Sequence, residues 1–136
     1  MAASNSPAVH GAAAQALVLF AHGSRDPLWH RPIQAVAQAI GTRSPSTRVA
    51  CAYLELSQPD LAQVTAELVR QGVRHITVVP MFLGVGKHAR EDLPVLVAQL
   101  RADYPELVFR LMPAVGEDAA VIDILASVAL RTLSTI

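Results

Sequence analysis

The chain has 136 residues, 52% of them hydrophobic, and sets 11 basic residues against 11 acidic ones. That is enough apolar material for one domain with a real core. The charge balance leaves no electrostatic footprint for nucleic acid or an anionic membrane, and no apolar run approaches the ~18 residues of a membrane span.

Residues 1–16 are rich in alanine and serine, contain no lysine or arginine, and read as a loose tail rather than a secretory signal. Residues 17–136 then form a single domain. Its first element is Leu17-Val18-Leu19-Phe20-Ala21, a run of the kind that is buried on both faces in a parallel sheet. The run stops at His22, Gly23, Ser24, Arg25 and Asp26, which puts an imidazole at the carboxyl end of a central strand, where open α/β sheets bind ligands. Asp26-Pro27 opens a turn. Ile33, Val36, Ala37 and Ile40 then recur at helical spacing, with Gly41 as the stop.

A second strand is expected over 48–54, with Val49, Cys51 and Tyr53 on one face, ending at Glu55. Cys51 within this run reads as a buried, inert thiol, and a lone cysteine fits a reducing, cytoplasmic setting. Ser57-Gln58-Pro59-Asp60 signals a helix start, with a hydroxyl near enough to cap it. That helix runs to about residue 71 with Leu61, Val64, Leu68 and Val69 inward, and Gly72 ends it. Residues 76–79 form the third strand, closed by Pro80. An apolar, glycine-bearing loop follows over 81–88, then a helix over 89–104, a fourth strand over 107–111 and a strongly apolar closing helix over 118–133. Four strand–helix alternations argue for a three-layer α/β/α fold around a four-stranded parallel sheet with right-handed crossovers.

Three potential metal ligands fall on one sheet edge: His22 after the first strand, Glu55 after the second, and His88 in the loop after the third. Two imidazoles and a carboxylate suit a borderline divalent ion such as cobalt, iron, nickel or zinc; separate structural roles are the alternative. Arg25, Lys87 and Arg90 add positive charge near that edge, suited to an anionic substrate or simply to solvent. Met81, Phe82, Leu83 and Val85 would form an apolar ligand wall, or serve as core or interface. His75 lies at the wrong edge and His10 in the tail; His30, beside Trp29 near the start of the first helix, could line the cleft but reads rather as a surface helix position. Gly86-Lys87 is no phosphate loop, since the glycine required five residues earlier is Met81 and the following hydroxyl is His88.

Three motifs in order carry a resemblance over nearly all of the chain from Leu17 onward. They are Ala21-His22-Gly23-Ser24-Arg25, Tyr53-Leu54-Glu55-Leu56-Ser57-Gln58-Pro59, and Val79-Pro80-Met81-Phe82-Leu83 continuing through Gly86-Lys87-His88-Ala89-Arg90-Glu91-Asp92-Leu93-Pro94. The chain resembles the sirohydrochlorin chelatases of CbiX type. The resemblance implies ATP-independent insertion of cobalt, iron or nickel into a tetrapyrrole of cobalamin or siroheme synthesis, the metal being a substrate and no cofactor permanently bound. It also implies that His22 and His88 are the active-site histidines and Glu55 a further metal ligand. Longer members carry two such domains, so this chain resembles the short form that works as a homodimer. A metal or tetrapyrrole carrier with the same ligands and no turnover is the competing reading.

Overall fold

A computed structural model describes residues 14–135; residues 1–13, which hold most of the expected tail and His10, lie outside them. Strands β1 (Gln15–Ala21), β2 (Arg48–Tyr53), β3 (His75–Pro80) and β4 (Val108–Leu111) form one sheet in the order β2-β1-β3-β4. All three pairings are parallel. The first strand is central, as its unbroken apolar run requires. Phe20 stands beside both Ala52 and Pro80, and Ala21 beside Tyr53. The carboxyl ends of β1, β2 and β3 are therefore level, and the segments that follow them leave the sheet at one edge.

Alternation along the strands divides the two faces. Ala16, Val18, Phe20, Ala52, Ile76, Val78 and Phe109 point into the main core. Helices α2 (Leu61–Arg70) and α3 (Lys87–Asp103) close it with Leu61, Val64 and Leu68, and with Leu93, Val97 and Leu100. The other face carries Leu19, Cys51 and Tyr53, covered by α1 (Arg31–Arg43); Cys51 Sγ lies 4.0 Å from the Ile33 carbonyl. Val49 and Ala50 at the β2 edge remain only partly buried.

Three local expectations are corrected. Helix α1 passes through Gly41 to Arg43, because nothing crowds that exposed position and no left-handed turn is needed there. Gly72 does stop α2, taking φ +89°. The cap of α2 is Asp60, not Ser57: its carboxylate accepts from Gln63 N at 2.8 Å while the Gln63 side chain accepts from Asp60 N, also at 2.8 Å. Finally, α3 starts at Lys87, with Gly86 as its N-cap. Lys87 and His88 thus sit on a helix's first turn rather than on a loop.

Helix α4 (Ala119–Arg131) is capped by Asp118, which accepts from Ala120 N at 2.8 Å. It buries none of its residues: Ile122, Ile124, Leu125, Val128 and Leu130 are 43–63% exposed. On the α1 side of the sheet, beyond the reach of α1, Val108 is 48% exposed and Thr77 and Val79 are partly so. No helix among the described residues is long and apolar enough to cross a membrane.

Candidate functional site

The segment after β1 and the segment after β2 touch through their backbones at Gly23. A Cβ built on Gly23 would fall 1.8 Å from the Glu55 carbonyl oxygen, so only glycine permits the approach. That closeness brings His22 Nδ1 to 3.0 Å from Glu55 Oε1, with the His22 and Glu55 side chains 52% and 42% exposed. A carboxylate can only accept, so Nδ1 carries the proton and Nε2 keeps its lone pair for a ligand. The His22 ring rests on Phe82 at 4.6 Å between centroids, and Phe82 meets Phe20 edge-on at 6.5 Å. Phe82 is accordingly a buried support for His22 and not part of an exposed ligand wall; Leu83 alone of the four wall residues is strongly exposed, at 68%.

The loop that follows β3 is held from the far side. Gly116 N donates to the Phe82 carbonyl at 3.0 Å, and a Cβ on Gly116 would lie 1.8 Å from Leu83 O. Chain direction then delivers Gly86 and the first turn of α3 to the opposite wall of a cavity of about 500 Å³ lined by His22, Leu54, Lys87, His88 and Asp92. His22 and His88 share this cavity, whereas Glu55 reaches it through its bond to His22. Among the described residues, no three His, Cys, Asp or Glu side chains stand close enough together to hold a metal ion. The three expected ligands form a pair with the third facing it.

The three cations separate. Lys87 lines the histidine cavity. Arg90 bends back to donate to the Val85 carbonyl at 2.8 Å and lines a different hollow, with Pro94, Met112 and Glu117. Arg25 is exposed on the turn after Ser24. Burial pushes the Cys51 thiol pKa up, which keeps it protonated near neutrality and agrees with an inert thiol, although the residue is half-buried and not a member of the core. Burial also raises the Tyr53 phenol, with the Cys51 charge adding to the effect.

Two residues near the strand ends, to which sequence alone assigns no definite role, are tied into the site. Trp29 donates its indole N–H to the His22 carbonyl at 2.8 Å. His30, expected on a helix surface, is half-buried with its Nε2 2.9 Å from Ser57 Oγ and its ring 4.4 Å from that of Tyr53. Their one signal was position: they follow the Asp26-Pro27 turn that must fold back on the strand end.

A parallel α/β sheet whose carboxyl edge gathers two imidazoles, a paired glutamate and a lysine defines a ligand-handling α/β protein with its site at the strand ends. More narrowly, the chain belongs to the CbiX family, whose model matches residues 16–132. It is 32% identical over 90 residues to the sirohydrochlorin cobaltochelatase of Methanocaldococcus jannaschii, which covers 66% of this chain and 63% of that one. The chain thus spans less than two thirds of the length of the first curated relatives it matches. Among solved structures it is similar to a protein of Marinobacter aquaeolei VT8 assigned as a cobalamin (vitamin B12) biosynthesis CbiX protein. The TM-score is 0.80 with 30% identity, covering 90% of this chain and 99% of that one. It is also similar to the sirohydrochlorin chelatase SirB of Bacillus subtilis subspecies spizizenii in complex with cobalt. Here the TM-score is 0.69 with 28% identity, covering 80% of this chain and 47% of that one.

Proposed function

We propose that this chain is a sirohydrochlorin-type metal chelatase, inserting cobalt, iron or nickel into sirohydrochlorin or a related tetrapyrrole without ATP. The observation that carries the reading is the His22–Glu55 pair at 3.0 Å opening onto a cavity shared with His88 and Lys87. The names of its relatives, cobalt- and iron-handling chelatases, point the same way.

Insertion must bring up a partly dehydrated divalent ion and remove two pyrrole protons. His22, with Nδ1–H fixed on Glu55, offers Nε2 to the ion; His88 offers a second imidazole from the facing wall, and Glu55 supplies the negative charge. Once the ion passes to the macrocycle, the same imidazoles are free to accept the displaced pyrrole protons, and the carboxylate stabilises the resulting imidazolium. No covalent intermediate is required. Lys87 faces the carboxylates of the tetrapyrrole, aided by the positive end of α3, while Arg25, exposed on the turn after Ser24, adds positive charge nearby.

The partner we propose is a second copy of the chain. The apolar residues exposed on α4 and the partly open sheet face over β3 and β4 support this, since neither is covered within one copy. A second copy would also supply the facing wall that a flat macrocycle needs to lose its water. A cytoplasmic setting is supported by the free thiol of Cys51.

The deciding test is turnover with sirohydrochlorin and each of cobalt, iron and nickel, followed by the change in tetrapyrrole absorbance. Many turnovers per site are expected with at least one metal. Stoichiometric retention of metal or tetrapyrrole without product would instead identify a carrier.

A further inference from the structure

We propose that His30 is a positioning residue which, by donating from Nε2 to Ser57, locks together the two loops that carry His22 and Glu55. Ser57 Oγ has three partners: it lies 2.8 Å from Ser24 N, 2.7 Å from Ser24 O and 2.9 Å from His30 Nε2. The amide must donate and the carbonyl must accept. A hydroxyl has a single proton, and that proton goes to the Ser24 carbonyl. The hydrogen between Ser57 and His30 therefore comes from the ring, so His30 carries a proton on Nε2.

The position of this knot gives it its role. Ser24 follows His22 by two residues and Ser57 follows Glu55 by two, so the clamp lies just beyond the His22–Glu55 contact. Gly23 is pressed against Glu55 O between them. The His30 ring also packs on Tyr53, the last residue of β2. One side chain from the turn before α1 thus ties the ends of β1 and β2. Leu56, between Glu55 and Ser57, takes φ +63°, a backbone shape that a leucine holds only when its surroundings impose it. His30 does not line the cavity of His22 and His88, so it acts through the pair rather than on the ligand.

This inference rests on reading His22 and Glu55 as the metal-handling pair, and its test keeps the two ideas apart. His30→Phe keeps a ring against Tyr53 and deletes the donor; His30→Gln keeps an amide donor. Cobalt binding to the protein alone is measured by competition with a chromophoric chelator, and insertion kinetics are measured separately for metal and tetrapyrrole. His30→Phe is expected to weaken cobalt binding about three- to tenfold, the worth of one neutral hydrogen bond, and to raise the KM for metal while leaving that for tetrapyrrole unchanged. His30→Gln should recover most of the loss, and ring nitrogen NMR of the native protein should show His30 protonated on Nε2. Should His30→Phe fail to fold, Ser57→Ala removes this bond together with both bonds to Ser24, so a loss of cobalt affinity at least as large is expected. Native cobalt affinity in His30→Phe (or in Ser57→Ala), equal losses in the Phe and Gln variants, or a native His30 protonated only on Nδ1 would each overturn the proposal. A cobalt response to His30→Phe in a protein that turns nothing over would uphold the positioning role and defeat the chelatase reading.

Discussion

Glu55 has two tasks at the residue scale, orienting His22 and supplying charge, and a neutral amide can perform only the first. Glu55→Gln should keep the contact to His22 Nδ1 and raise the metal KM about ten- to a hundredfold, the usual range for altering the carboxylate that partners a ligand histidine. The tetrapyrrole KM should hardly move, and an unchanged dependence of rate on metal concentration would remove Glu55 from the site. Gly23 is the second residue on which the pair depends. Its added methyl would meet backbone at 1.8 Å, which cannot swing aside like a side-chain tip. Gly23→Ala should therefore cost about 1–3 kcal/mol in denaturant unfolding and separate His22 from Glu55, with insertion falling further than stability alone explains. Native-like insertion by this variant would show that the contact is dispensable.

At the element scale, the helix starts decide where the chemistry stands. Lys87 and His88 occupy the first turn of α3, so their backbones are fixed by the helix and by Arg90 N bonding Gly86 O at 3.0 Å. Sequence alone places them on a loop, because Gly86 lacks a capping side chain and the apolar periodicity begins only later. At α2 the sequence leads one to expect the Ser57 hydroxyl as the cap, three residues before Asp60. Asp60 takes the role because it has Gln63 three residues ahead to complete the reciprocal box. Ser57 is thereby released to bind the β1 loop. Asp60→Ala should accordingly destabilise the fold by ~1 kcal/mol with little change in insertion rate, measured by chemical denaturation alongside turnover. A large loss of rate at unchanged stability would mean that Asp60 serves the ligand instead.

At the scale of the whole molecule, α4 is the element that one chain leaves unfinished. An amphipathic surface helix hides one apolar stripe, but this one leaves Ile122 55%, Ile124 61% and Leu130 63% exposed. With a second copy as its partner, Ile124→Glu and Leu130→Glu, separately or together, should convert a dimer to a monomer in sedimentation or light scattering. The domain's core, which α4 does not enter, should still unfold cooperatively. Insertion should fall with the dimer, because a monomer offers the macrocycle one wall. A charged α4 variant that stays dimeric would place the interface elsewhere, and a native monomer with full activity would remove the need for one.

The sequence by itself determined the sheet. Apolar runs ended by turn residues located all four strands within a few positions, and alternation assigned Cys51 and Tyr53 to one face and Ala50 and Ala52 to the other. It also located the edge of the site, since whatever follows a parallel strand must leave at the carboxyl end. The pairing of His22 with Glu55, residues 33 positions apart, was beyond local patterns; it depends on β1 and β2 lying side by side with Ala21 level with Tyr53. The register of β3 against β1 likewise decided between ligand wall and core for Phe82, setting it beneath the His22 ring, and the fold made His30 a partner of Ser57 instead of a surface residue. Hydrophobic periodicity records which side of an element is buried. Which distant polar groups meet depends on strand order and register, and those exist only in the folded chain.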